Sequence, residues 1–186
     1  MKNIVHLNKI IIGAFLLVLT MNSCKKEPVK IEEPIAIAED QNEAIENDAS
    51  FLSDIAEIHM HEIEIGKLAV QKGLRPDVQK YAQMIVDDHT KSLDELKELA
   101  IKKTITLPTS TTVMEDDNFN QLKNKTGTDF DENFVNLMVE GHEKTVERIT
   151  EISQKVTDPD VKLWTSRQVT IFTTHTDEAK KLKEKA

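Results

Sequence analysis

Apolar positions along the chain recur at steps of three and four. Tyr81/Ala82, Ile85, His89, Leu93, Leu96 and Ala100 predict a helix over about Asp77 to Lys103 with one buried face. A first helix, about Ser50 to Gln71, carries Phe51/Leu52, Ile55, Ile58/His59, Glu62, Ile65/Gly66 and Ala69. Gly73 is suited to end it, and Pro76 is pre-set for the next first turn. A third helix begins at Thr128, with Asp131 in capping-box spacing, and carries Phe130, Phe134, Leu137/Met138, His142, Val146, Ile149, Ile152 and Val156. Asp158-Pro159 ends it and opens a fourth, with Val161, Trp164, Gln168, Ile171/Phe172, His175, Ala179 and Leu182. The turn around Gly73 makes the first two helices antiparallel neighbours. The stretch from Thr104 to Thr128 is long enough to cross from one end of a bundle to the other. Within it, Thr112 and Glu115 have the spacing to start a short helix through Phe119 and Leu122. With no strand alternation, the pattern predicts an all-α four-helix bundle whose second and third helices are joined by a long connection containing a short helix.

Each long stripe is broken by a polar residue: Glu62, His89, His142 and His175. At ~1.5 Å of rise per residue they lie ~16 to ~22 Å into their helices, so they meet near one level in either bundle topology. Three imidazoles and a carboxylate in a dry core have the composition of a transition-metal site, suited to Fe, Zn, Cu, Ni or Mn. The competing expectation is a self-satisfied cluster in which Glu62 pairs with histidine and no ion is held. His59, Asp88 and Glu178, each at the edge of a stripe, are candidates for a supporting role, Asp88 beside His89 as its orienting partner. Separations beyond about 8 Å would exclude a shared ion, because such bonds are ~2.0 to 2.2 Å long.

The amino terminus adds an address. Lys2 and Lys9 precede the apolar run from Ile10 to Leu19, too short to span a bilayer, so residues 1–23 read as a cleaved signal peptide. Leu19-Thr20-Met21-Asn22-Ser23-Cys24 resembles a bacterial lipobox and makes Cys24 the lipidation candidate. Residues 24–49, with Pro28, Pro34 and many acidic side chains, read as an extended acidic tether, and 50–186 as the folded domain. Without residues 1–23 the chain has 22 basic residues against 33 acidic, a formal −11, which argues against nucleic acid as a partner. One cysteine excludes an intramolecular disulfide. His61-Glu62 lacks the second histidine of a zinc-protease motif, Ile65 standing at its place. No phosphate loop, nucleophile elbow or EF-hand loop is present, and Met60, Met84, Met114 and Met138 are too scattered for a copper-binding box.

From Phe51 to Leu182 the chain resembles the DUF4142 family of bacterial envelope proteins. The resemblance is carried by His61-Glu62-Ile63-Glu64-Ile65-Gly66-Lys67-Leu68-Ala69, Met84-Ile85-Val86-Asp87-Asp88-His89, Phe130-Asp131, Met138-Val139-Glu140-Gly141-His142 and His175. It implies a ferritin-like bundle, often secreted or membrane-associated, and brings no established reaction. Gly141 departs from the acidic residue usual there, and the two Glu-x-x-His motifs of di-iron bundles are absent, which favours a mononuclear site over a di-iron one. The expectation is an envelope protein, lipid-anchored at Cys24 in what is expected to be the outer membrane, facing the periplasm or cell surface. Its bundle would hold a metal at Glu62, His89, His142 and His175 for storage, sensing or oxidant handling. A structural or interaction module with a self-satisfied polar core is the alternative, and an oxidoreductase with an open metal position is a third; protein partners and any reaction stay open.

Overall fold

A computed structural model describes the backbone of residues 34–110 and 117–185, and side chains from Glu46 onward within them. Five helices follow in order: α1 Pro34–Lys72, α2 Pro76–Lys103, α3 Asp117–Lys123, α4 Gly127–Ser153 and α5 Pro159–Lys183. The signal and lipobox residues, and the Thr112/Glu115 capping signal, lie outside the described residues. The short helix itself is present as α3, with Phe119 and Leu122 buried.

Cross-helix contacts fix the topology. Glu62 meets His142 and Asp54 meets Arg148, so α1 and α4 run antiparallel. Asp88 meets His175 and Glu95 meets Arg167, which sets α2 against α5 in the same sense. With α1 and α2 also antiparallel, α2 and α4 point the same way. The long connection therefore crosses the bundle from end to end, as in ferritin-like folds.

Two apolar clusters fill the interior. One holds Ile65, Tyr81, Ile85, Phe130, Phe134 and Met138. The other holds Leu52, Ile55, Leu96, Ile149, Trp164 and Phe172. The polar residues of the stripes lie between them. Gly66 lets α1 and α2 close one turn from Glu62: a Cβ there would stand 2.8 Å from a Val86 methyl and 3.2 Å from the Ala82 carbonyl.

Two sequence expectations are corrected. The acidic tether does not extend to residue 49, because α1 begins at Pro34. Proline is tolerated in a helix's first turn, and the Ala, Glu and Gln that follow are good helix formers. Asp48, expected to solvate the tether, is buried and accepts from the Asp158 N–H at 3.2 Å. Nor does a Thr128–Asp131 capping box start α4, whose N-cap is Thr126 without a side-chain hydrogen bond. Asp131 instead accepts from the backbone N–H groups of Leu74 and Arg75, both at 2.9 Å, and so clamps the α1–α2 turn onto α4.

Two backbone donors meet one buried carboxylate there. Asp131→Ala is expected to cost about 2–3 kcal/mol of stability because it removes the acceptor of both donors, and Asp131→Asn less, as measured by urea unfolding.

Candidate metal centre

Helical spacing puts His89 one turn beyond Ile85 on the inner face of α2, His142 one turn beyond Met138 on α4, and His175 three residues beyond Phe172 on α5. All three rings are fully buried. One nitrogen from each lies within 4.8 Å of the others. His89 and His142 stack with centroids 5.8 Å apart, and His175 meets both edge-on at 5.0 and 5.3 Å. Phe172 packs against His59, His89 and His142, closing the cluster on the side of the second apolar group.

The second nitrogen of each ring is occupied, and for His142 and His175 its partner dictates the tautomer. His142 Nδ1 lies 2.9 Å from the Met138 carbonyl, which only accepts, so Nδ1 carries the hydrogen and Nε2 a lone pair. His175 Nε2 lies 3.0 Å from Asp88 Oδ2, so Nε2 donates and Nδ1 keeps the lone pair. His89 Nδ1 faces His59 Nδ1 at 2.8 Å, one of the two donating. The remaining atoms, His89 Nε2, His142 Nε2 and His175 Nδ1, are buried without a protein hydrogen-bond partner. Imidazoles oriented from behind, each with a free nitrogen, are the usual state of metal-ligating histidines.

Glu62 is brought to the edge of this group. Its Oε2, also unpartnered, lies 3.9 Å from His142 Nε2, too far for a hydrogen bond. Burial pushes the Glu62 carboxyl up to about 8 and holds His142 down at about 3, so at neutral pH this contact joins two uncharged groups and is no ion pair. Burial likewise holds His59 at about 3 and His89 well below its ordinary value. His175 is lowered by burial, against the opposing pull of Asp88. The rings are thus kept in the neutral form a metal requires.

Of the seven residues singled out from sequence, the structure gathers His89, His142 and His175 tightly, with Glu62 against His142. His59 is fully buried and braces His89. Asp88 turns to His175 and not to its neighbour His89, because adjacent helical residues do not face each other. Glu178 pairs with Lys181 on the surface, away from the site. Sequence reading assigned no part to Tyr81, whose hydroxyl donates to the His175 carbonyl at 3.0 Å, or to Gln168, fully buried with both amide atoms lacking a protein partner. Gln168 carried the same signal as the histidines, a polar residue within an apolar stripe.

Fold and site together define an all-helical bundle with a histidine cluster at its middle. The chain belongs to the family described as domain of unknown function DUF4142, which it matches over residues 34–182. Two solved structures are similar in fold. A DUF305 fragment from Deinococcus radiodurans superposes with a TM-score of 0.67 at 9% identity, covering 75% of this chain and 97% of that one. CopM in its Cu(II)-bound form superposes with a TM-score of 0.60 at 18% identity, covering 74% and 96%. No curated protein matches the sequence.

The protonation states fix the pH dependence of stability without metal. In the unfolded chain the histidines titrate near 6.5, whereas the folded values of all four, His175 included, are lower. The unfolded state then binds more protons in acid, so stability is full above about pH 6.5 and is lost progressively as pH falls towards 3. Glu62 acts oppositely: its folded value of about 8 exceeds its ordinary 4.5, so its contribution is full below 4.5 and lost as pH rises through 8. Urea unfolding of the chelator-treated domain is expected to show both arms, the acid one steeper, with Glu62→Gln flattening the alkaline one.

Proposed function

We propose that the bundle binds one transition-metal ion through His89 Nε2, His142 Nε2 and His175 Nδ1, with the Glu62 carboxylate as a fourth ligand. Two observations carry this reading: the three buried rings each bring a nitrogen within 4.8 Å of the others, and each ring has one nitrogen without a protein partner while the other nitrogen holds the ring. An unsatisfied buried polar atom costs about 1–3 kcal/mol, and one ion serves all three. Ligand bonds of ~2.0 to 2.1 Å would draw the nitrogens to ~3.4 Å of one another, a side-chain adjustment. Imidazole-rich sites suit Cu, Zn, Fe and Ni better than Mn. The fold likeness to CopM, solved with Cu(II) bound, agrees with a metal held in such a bundle.

A second reading has its own observation. The neutral Glu62 carboxyl needs to move only about 1 Å to donate to His142 Nε2, which would give a self-satisfied polar layer in a structural or interaction module. Metal analysis of the domain, purified without a chelating tag and reconstituted with each ion in turn, separates the two. The expected result is one ion per chain, lost in His89→Ala and His142→Ala, and bound on the order of 10–100-fold more weakly in His59→Ala. Unfolding should shift by about 2.7 kcal/mol at a hundredfold excess of ion over Kd, whereas a self-satisfied layer would be indifferent.

We further propose that Cys24 carries the lipid that holds the domain at the bacterial envelope, the outer membrane being the expected site. The lipobox-like segment ending at Cys24 supports this. More than one acyl chain, at ~0.8 kcal/mol per buried methylene, gives stable anchoring. Cys24→Ser is expected to abolish labelling by a palmitate analogue and release the protein from membranes; retention of both label and membrane location would contradict the assignment.

A further inference from the structure

We propose that the metal ion reaches the triad past Asp88, whose carboxylate is the first protein ligand it meets and passes it to His175. This rests on the metal-binding reading of the triad. The groups that contact the three rings differ in access to water. His59 and Phe172 are fully buried, and the Glu62 side chain is 7% exposed. The Asp88 side chain, by contrast, is 46% exposed while its Oδ2 accepts from the fully buried His175. His175 thus spans the wall of the bundle: Nε2 faces a surface carboxylate, and Nδ1 belongs to the interior cluster.

A carboxylate offers about four lone-pair sites. The hydrogen bond from His175 uses one, which leaves Oδ1 to take an incoming cation while the ring keeps its orientation. Passage along the bundle axis is shut by aromatic and aliphatic packing, with Phe134 and Met138 at one side and Phe172, Trp164 and Leu96 at the other. The seam between α2 and α5 at Asp88 is the short way in. The surface there favours a cation. Beside Asp88, a groove along α2 is lined by Asp87, Lys91, Asp94, Glu95 and Glu98; Asp94 pairs with Lys97 and Glu95 with Arg167, so Asp87 and Glu98 against Lys91 leave a small excess of negative charge that raises the local cation concentration. A small opening of the α2–α5 seam then lets the ion pass the edge of the His175 ring and exchange water for Nδ1, the nitrogen with the lone pair, because Nε2 carries the hydrogen that Asp88 accepts.

Trp164, the single tryptophan, lies 5.9 Å from His59 and so reports on the centre. Stopped-flow quenching of its fluorescence by Cu(II) gives the association rate in the whole mature chain. Asp88→Asn keeps an oxygen that accepts from His175 Nε2 and removes the charge. It is expected to slow association on the order of tenfold, and Asp94→Asn, the same charge change farther along the groove, by much less. An association rate unchanged in Asp88→Asn, with any loss of affinity confined to faster dissociation, would make Asp88 a residue that only orients His175 and would overturn the port. Equal slowing in both variants would also overturn it, assigning the effect to the general field of the groove. If the wild-type chain takes up no stoichiometric copper, or His142→Ala takes it up equally well, the triad reading falls, and the port with it.

Discussion

The burial of three imidazoles whose outward nitrogens are already committed is the constraint on which this structure turns. A core histidine with two free nitrogens can rotate to find a partner. His142 and His175 cannot do so without breaking a bond to the Met138 carbonyl or to Asp88. Their remaining nitrogens carry lone pairs by necessity, since carbonyl and carboxylate accept and do not donate. The bundle therefore concentrates electron-pair donors at one level, in an environment that disfavours protonation of each ring.

The surrounding architecture serves that level. The crossover between α2 and α4 gives α1 and α5 antiparallel neighbours on both sides, so each polar side chain arrives at one level from a different helix, near mid-length on α2, α4 and α5 and in the C-terminal part of α1. Apolar clusters above and below exclude water, while Gly66 draws α1 against α2 near Glu62. Asp131 and Asp48 are a second kind of buried acid. Asp131 accepts from two backbone N–H groups and Asp48 from one, at opposite ends of the bundle, and each holds a turn to a neighbouring helix. Carboxylates thus secure both ends while the histidines occupy the middle.

Much of this was legible in the chain. Apolar period gave the four long helices, and the residue that breaks each stripe gave Glu62, His89, His142 and His175, because a polar group on a buried face must meet another. The length of the Thr104–Thr128 stretch allowed the crossover without requiring it; contacts such as Glu62 with His142 were needed to choose. Two features were not legible for a physical reason. The helical start at Pro34 depends on proline's tolerance in a first turn, which looks locally like a break. The partners of Asp131 and Asp88 depend on residues distant in sequence, so neither the Leu74 and Arg75 donors nor His175 could be read from spacing.

The central claim concerns where protons sit on the rings, and long-range nitrogen–proton correlation NMR of the histidine side chains in the metal-free protein at neutral pH tests it most directly. The account predicts neutral rings, with His142 carrying its hydrogen on Nδ1 and His175 on Nε2. A protonated imidazolium at either position, or the opposite tautomer, would contradict it.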